Sequence, residues 1–198
     1  MAILLTDATL ATMMGGYGLI PDGAIAMDET GILWAGAQAD LPSQYASLPR
    51  HSAKGRLVTP ALIDCHSHIV FGGHRAAEFE MRLNGASYEE VARAGGGILS
   101  TVTATRAASE DDLLTAALSR ADQIIAGGAA TIEIKSGYGL TLADELKMLR
   151  VARAVGLPQP VQLDTTHLAA HAITADNNRR DEANIAEVAI PSLHAAHA

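Results

Sequence analysis

The chain has one cysteine, Cys65, in 198 residues. A lone thiol closes no internal disulfide, which excludes a disulfide-stapled scaffold and fits a reducing, cytoplasmic setting. Basic residues are outnumbered, 14 Lys and Arg against 22 Asp and Glu, for a formal net charge of −8. That balance argues against nonspecific nucleic-acid binding and against an anionic membrane surface. No apolar run approaches the roughly 18 residues that a bilayer span needs. The opening Met1-Ala-Ile-Leu-Leu-Thr-Asp7 has no basic stretch and no cleavage pattern of the secretory kind. Aromatic residues are few: four Tyr, two Phe and one Trp, against eight His. With 48% hydrophobic and 18% charged residues the composition is that of an ordinary soluble globular protein. The excess of histidine over the aromatics points towards metal or proton chemistry.

Residues 1–58 read as a small β unit. Brief apolar runs at 2–5, 23–27 and 31–37 are separated by Gly15-Gly16, Pro21-Asp-Gly23 and the hairpin signal Asp28-Glu-Thr-Gly31. From residue 59 the rhythm changes to strand followed by helix. The strand 61–70 is bounded by Pro60 and Gly72-Gly73. A helix at 87–94 opens on the capping box Ser87 and Glu90, and Gly95-Gly-Gly97 ends it in what reads as a flexible connection. A second helix runs from Ser109 to about 125 and closes on Gly127-Gly128. Then come a strand at 130–134, a helix at 141–155, a strand at 161–168 and a last helix at 181–197. Repeated strand–helix units mean parallel strands with crossover helices, an α/β architecture. Three repeats are present, whereas a closed (β/α)8 barrel needs about 250 residues.

The chemistry-bearing residues fall at strand ends. His66 and His68 lie two apart on the first strand, so both imidazoles point to one face, as two ligands of a divalent metal must. Taken alone, the pair also reads as two ordinary histidines. Arg75 follows the same strand, Tyr138 follows the second, and His171 follows the third. Other candidates carry blander readings. Lys135 reads as structural, Asp64 as a hydrogen-bonding or packing residue, and Cys65 as buried filler facing away from the histidines. His194 and His197 read as helix surface, His74 as a polar loop residue, and His167 has no assigned role.

The motifs Thr59-Pro-Ala-Leu-Ile-Asp-Cys-His-Ser-His-Ile-Val-Phe-Gly-Gly73, Arg75-Ala-Ala-Glu-Phe-Glu80, Gly85-Ala-Ser-Tyr-Glu-Glu90, Ala94-Gly-Gly-Gly-Ile-Leu-Ser-Thr-Val102, Ile134-Lys-Ser-Gly-Tyr-Gly-Leu140 and Glu145-Leu-Lys-Met-Leu-Arg-Val-Ala-Arg153 resemble the imidazolonepropionase family of the amidohydrolase superfamily. The resemblance covers nearly the whole chain. It implies a TIM-barrel-like metal-dependent amidohydrolase, here a partial barrel of the first three strand–helix repeats at 59–198, preceded by a small β-sandwich segment at 1–58. It also implies one Zn or Fe ion and hydrolysis of the cyclic C–N bond of 4-imidazolone-5-propanoate to N-formimidoyl-L-glutamate. By motif, His66 and His68 match metal ligands, and Arg75, Tyr138 and His171 match substrate-binding residues. The family's remaining ligand histidine, its acid/base glutamate and its metal-binding aspartate fall on later strands, so no catalytic residue is matched here. The chain therefore reads as an N-terminal portion of such an enzyme. Another cyclic-amide hydrolase, or a non-catalytic fragment that binds a partner or self-associates through an unfinished sheet, are the competing readings.

Overall fold

The computed structural model describes residues 1–172 and 181–197. The chain divides into two compact units, Met1–Ala61 and Leu62–Ala198. Among the described residues no helix is long and apolar enough to cross a membrane.

The first unit is one mixed sheet. Strands β1 (Ile3–Ala11), β2 (Leu19–Asp28) and β3 (Gly31–Ala37) form an antiparallel meander, and β4 (Arg50–Ser52) and β5 (Leu57–Val58) pair parallel to β1. The hairpin at 28–31 forms as its sequence predicts. Asp28 Oδ1 accepts the Thr30 N–H at 2.7 Å and the Thr30 hydroxyl at 2.6 Å, an Asx turn that joins Asp28 to its partner Gly31. The β1–β2 register slips between Leu5 and Ala8, where Asp7 takes a φ of 54°. This bulge changes which side chains reach each face. Leu4 packs with Ala24 and Ala26 beneath Trp34, Leu41 and Tyr45, whereas Ala8 and Leu10 pack with Ile25 and Ala53.

The second unit is built on a parallel sheet of β6 (Leu62–Ser67), β7 (Ala129–Lys135) and β8 (Gln162–Thr166), in that order. Helices α4 (Glu110–Ala126) and α5 (Leu142–Val155) are the crossovers. Both start where a local cap tells them to. Ser109 Oγ accepts the Asp112 N–H at 3.1 Å, and Thr141 Oγ1 accepts the Asp144 N–H at 3.1 Å. Each helix buries one stripe. Leu113, Ala117 and Ala121 of α4, spaced by four, meet Met148, Val151, Ala152 and Val155 of α5 over Ile132 and Ile134 of β7. Ile132 is fully buried at the centre of this cluster. Replacing it with alanine is expected to destabilise the unit by about 2–5 kcal/mol through lost transfer energy and the cavity left behind. The check is a lower denaturation midpoint with an unchanged slope.

Between β6 and α4 lie α1 (Ala76–Leu83), α2 (Tyr88–Arg93) and α3 (Ile98–Ala107). The capping box of α2 forms, with Glu90 Oε2 accepting the Ser87 N–H at 2.7 Å and Ser87 Oγ accepting the Glu90 N–H at 3.2 Å. Helices α1 and α3 are elements to which the sequence reading assigned no structure. In particular, Gly95-Gly-Gly97 is no flexible connection, because Gly97 is the N-cap of α3. The α3 sequence, Ile-Leu-Ser-Thr-Val-Thr-Ala-Thr-Arg-Ala, is rich in β-branched residues of modest helix propensity. Its start is fixed from elsewhere. The Glu78 carboxylate of α1 accepts the Gly97 N–H at 3.0 Å and the Ser100 hydroxyl at 2.8 Å. In the C-terminal described segment, α6 (Asp181–Asn184) continues through a π-helical turn, Ile185–Ala189, into α7 (Ile190–His197).

Candidate active site

Strand β6 delivers its histidines through a second register irregularity. Asp64 lies opposite Ile132 and Ser67 opposite Ile134, so three steps on β6 match two on β7. The Ser67 hydroxyl donates to the Glu133 carbonyl at 2.6 Å, and Asp64 Oδ1 accepts the His66 N–H at 3.2 Å. This bulge aims the histidines off the end of the strand. The segment after β6 is held firmly. Ile69 and Val70 enter the core. Arg120 of α4 donates to the Ile69 and Phe71 carbonyls at 2.8 and 3.0 Å, with its guanidinium 3.5 Å above the Phe71 ring centroid. The Gly72 N–H is taken by Thr105 Oγ1 at 3.0 Å.

The loop after β7 is fixed to the loop after β8. The Ser136 N–H donates to the Thr166 carbonyl, and Ser136 Oγ accepts the Leu168 N–H, both at 2.9 Å. Gly137 has a φ of 116°, and a Cβ there would lie 2.8 Å from the Cβ of His171. Glycine is thus required both for the backbone turn and for the approach of His171.

These restraints gather four rings. The His68 centroid is 5.4 Å from His66, 5.3 Å from Tyr138 and 4.8 Å from His171. Tyr138 meets His171 edge-on at 5.6 Å. The His68 ring carries both its nitrogens buried and without a hydrogen-bond partner. Burial, then the neighbouring His171, His66 and Lys135, hold its pKa below the ordinary imidazole value, which favours the neutral ring. A buried ring with two unpaired nitrogens loses its hydration without compensation. An added electron-pair acceptor at this ring would relieve that cost. Among the described residues no set of three His, Cys, Asp or Glu side chains is arranged to hold a metal ion. The residues present thus fit a metal as partial ligation by imidazole.

Four of the five residues singled out by sequence, His66, His68, Tyr138 and His171, are therefore neighbours. Arg75 makes its contact elsewhere, pairing through Nε with Glu78 Oε2 at 2.8 Å with its side chain half exposed. Glu78 is held below the usual carboxylate range by the Gly97 N–H, and further by Arg75 and Ser100. Cys65 is a correction: it is exposed, on β6, an edge strand of this sheet among the described residues. Lys135 has a structural partner, with Nζ 2.5 Å from Glu133 Oε1. Lys135, and then the Thr166 hydroxyl, hold the Glu133 carboxyl below its ordinary pKa. His167 Nε2 lies 2.7 Å from Ser192 Oγ, whose hydroxyl reaches the Val188 carbonyl at 2.6 Å. His74, His194 and His197 are exposed. Sequence reasoning missed Arg120, Thr105 and Glu78, whose partners lie 19 to 51 residues away in the chain.

No family model matches the chain. Curated relatives do. It is 58% identical over 198 residues to an imidazolonepropionase of Ruegeria pomeroyi, covering 98% of this chain and 49% of that protein. The imidazolonepropionase of Roseobacter denitrificans is also 58% identical, with 99% and 50% covered. That of Rhizobium meliloti is 53% identical over 192 residues, with 96% and 46% covered. Among solved structures, 5-methylcytosine deaminase from Klebsiella pneumoniae aligns with a TM-score of 0.53 at 19% identity, over 82% of this chain and 35% of that one. The atrazine chlorohydrolase TrzN from Arthrobacter aurescens, complexed with zinc, aligns at 0.50 and 18% identity, over 83% and 35%. At such identities these structures speak for the fold alone, an α/β arrangement that this chain shares with part of each of them. By sequence the chain belongs to the imidazolonepropionase family, and it spans about half the length of the curated relatives it matches.

Proposed function

We propose that this chain carries the metal-and-substrate portion of an imidazolonepropionase site, which hydrolyses the ring C–N bond of 4-imidazolone-5-propanoate to N-formimidoyl-L-glutamate. The observation that carries the reading is the cluster of His66, His68, Tyr138 and His171 at the ends of parallel strands, with both His68 nitrogens buried and unpartnered. His66 and His68 would hold a metal ion, zinc or iron, since two imidazoles suit either. Such an ion lowers the pKa of a water molecule towards about 7 and so supplies a nucleophile at neutral pH. The chain's own residues do the rest of what is encoded here. Tyr138 and His171 present an aromatic edge and an imidazole to the substrate ring, and the neutral state of His68 keeps its lone pair available. The guanidinium fork of Arg75 suits the propanoate carboxylate, which would compete with Glu78 for it.

Titration with imidazole-4-propanoate, a stable molecule bearing the same ring size and acid arm, tests this. The Tyr138 and His171 ring resonances are expected to shift together, and resonances that stay fixed while the ligand binds elsewhere would contradict the reading. Arg75→Lys keeps the charge and loses the fork, so we expect binding of this probe to weaken roughly tenfold with metal uptake unchanged. Equal loss for imidazole, which lacks the carboxylate, would give Arg75 another role.

One observation favours a second reading alongside this one. On the β6 edge Leu62 and Ile63 are 61% and 68% exposed. An unpaired parallel edge with exposed apolar side chains is a surface on which copies of the chain would associate.

A further inference from the structure

We propose that Glu145, assisted by Arg106, is the positioning residue that sets Tyr138 against His68 and His171. Glu145 lies in the first turn of α5 and is completely buried. Its carboxylate accepts three backbone N–H groups from the loop that carries Tyr138: Gly137 at 3.0 Å, Gly139 at 2.9 Å and Leu140 at 2.7 Å. A buried carboxylate is tolerated only when its lone pairs are satisfied, and hydrogen bonds to an ionised acceptor are the stronger kind. Its place at a helix N-terminus adds the favourable end of the helix dipole. The carbonyls of the same loop go to a cation. Arg106 of α3 donates from Nε to the Gly139 carbonyl at 2.7 Å and from Nη2 to that of Leu140 at 3.3 Å. One anion thus takes the loop's donors and one cation takes its acceptors.

The loop has no slack against this clamp. A Cβ on Gly139 would lie 2.5 Å from the backbone of Asp144 and Glu145, so the turn rests directly on the start of α5. Leu140 takes a φ of 54°, a conformation a leucine holds only when its surroundings impose it. Tyr138 sits between the clamped residues, and its ring reaches His68 at 5.3 Å and His171 at 5.6 Å. A shift of the loop would move that ring relative to His68 and His171. The inference rests on the proposed role of Tyr138 as a substrate contact, but its test needs neither substrate nor metal.

The test is NMR on the intact chain and its Glu145→Gln variant. In the parent, the Gly137, Gly139 and Leu140 amides are expected to be protected from exchange, with cross-relaxation between the Tyr138 and His171 rings. In Glu145→Gln the side chain turns an N–H₂ towards donors. Protection of those three amides is expected to fall about tenfold or more, and the ring contact to be lost, with exchange in β1 and β2 unchanged. Loss of overall stability with the ring contact retained would make Glu145 merely structural and overturn the proposal. Should Glu145→Gln fail to fold, Arg106→Lys reads the same contact, and its retention there overturns the proposal equally. An intact Tyr138–His171 contact that ignores imidazole-4-propanoate would count against the proposed function and leave the positioning role standing.

Discussion

The chain on its own is expected to give no detectable hydrolysis of 4-imidazolone-5-propanoate, at least about 10²–10⁴-fold below a full-length relative. Two observations require it. No three-ligand metal group exists among the described residues, and the carboxylates beside the ring cluster are already engaged. Glu133 is paired with Lys135 and accepts the Thr166 hydroxyl, and Asp64 accepts the His66 N–H. Both carboxylates are thus held by structural partners, and no motif match gives either the role of proton shuttle. Losing a general acid or base alone costs that much, and incomplete metal ligation costs more. The same material should sediment as a species larger than a monomer because of the β6 edge. A purified monomeric chain turning over the substrate at the rate of a full-length relative would show that the site is assembled differently.

The parts of this structure legible in the sequence are those whose causes are local. Ser87 with Glu90, Ser109, Thr141 and Asp28 each act within three residues; the first two helix starts and the Asp28 turn form as expected, and Thr141 caps the helix expected to begin there. The gathering of His66, His68, Tyr138 and His171 was legible for a different reason. Parallel strands present their C-terminal ends on one side, so residues far apart in sequence inherit a common face. What could not be read depends on partners that no window contains. Helix α3 looks like a poor helix because its N-cap contacts come from Glu78 on α1. The buried role of Glu145 hides inside an ordinary acidic helix start, indistinguishable in sequence from exposed Glu110 on α4. Cys65 reads as core because it alternates with the histidines along an otherwise apolar run, yet on the edge strand β6 it is exposed. Arg75 was expected to face the substrate, and the structure records its ion pair with Glu78.

The most direct test of the central claim, that His66 and His68 form the metal half of the site, is calorimetric titration of the chain with Zn²⁺. The comparison proteins are His66→Ala, His68→Ala and the double variant His194→Ala with His197→Ala. The last removes the other histidine pair at helical spacing, exposed on α7. Removing one of so few ligands takes away most of the affinity, because each imidazole contributes directly and the remaining donor cannot close the coordination shell. We expect one zinc site in the parent and in the α7 double variant, weakened at least about tenfold in His66→Ala and in His68→Ala. Equal zinc binding in all four proteins, or none in the parent, would contradict the assignment.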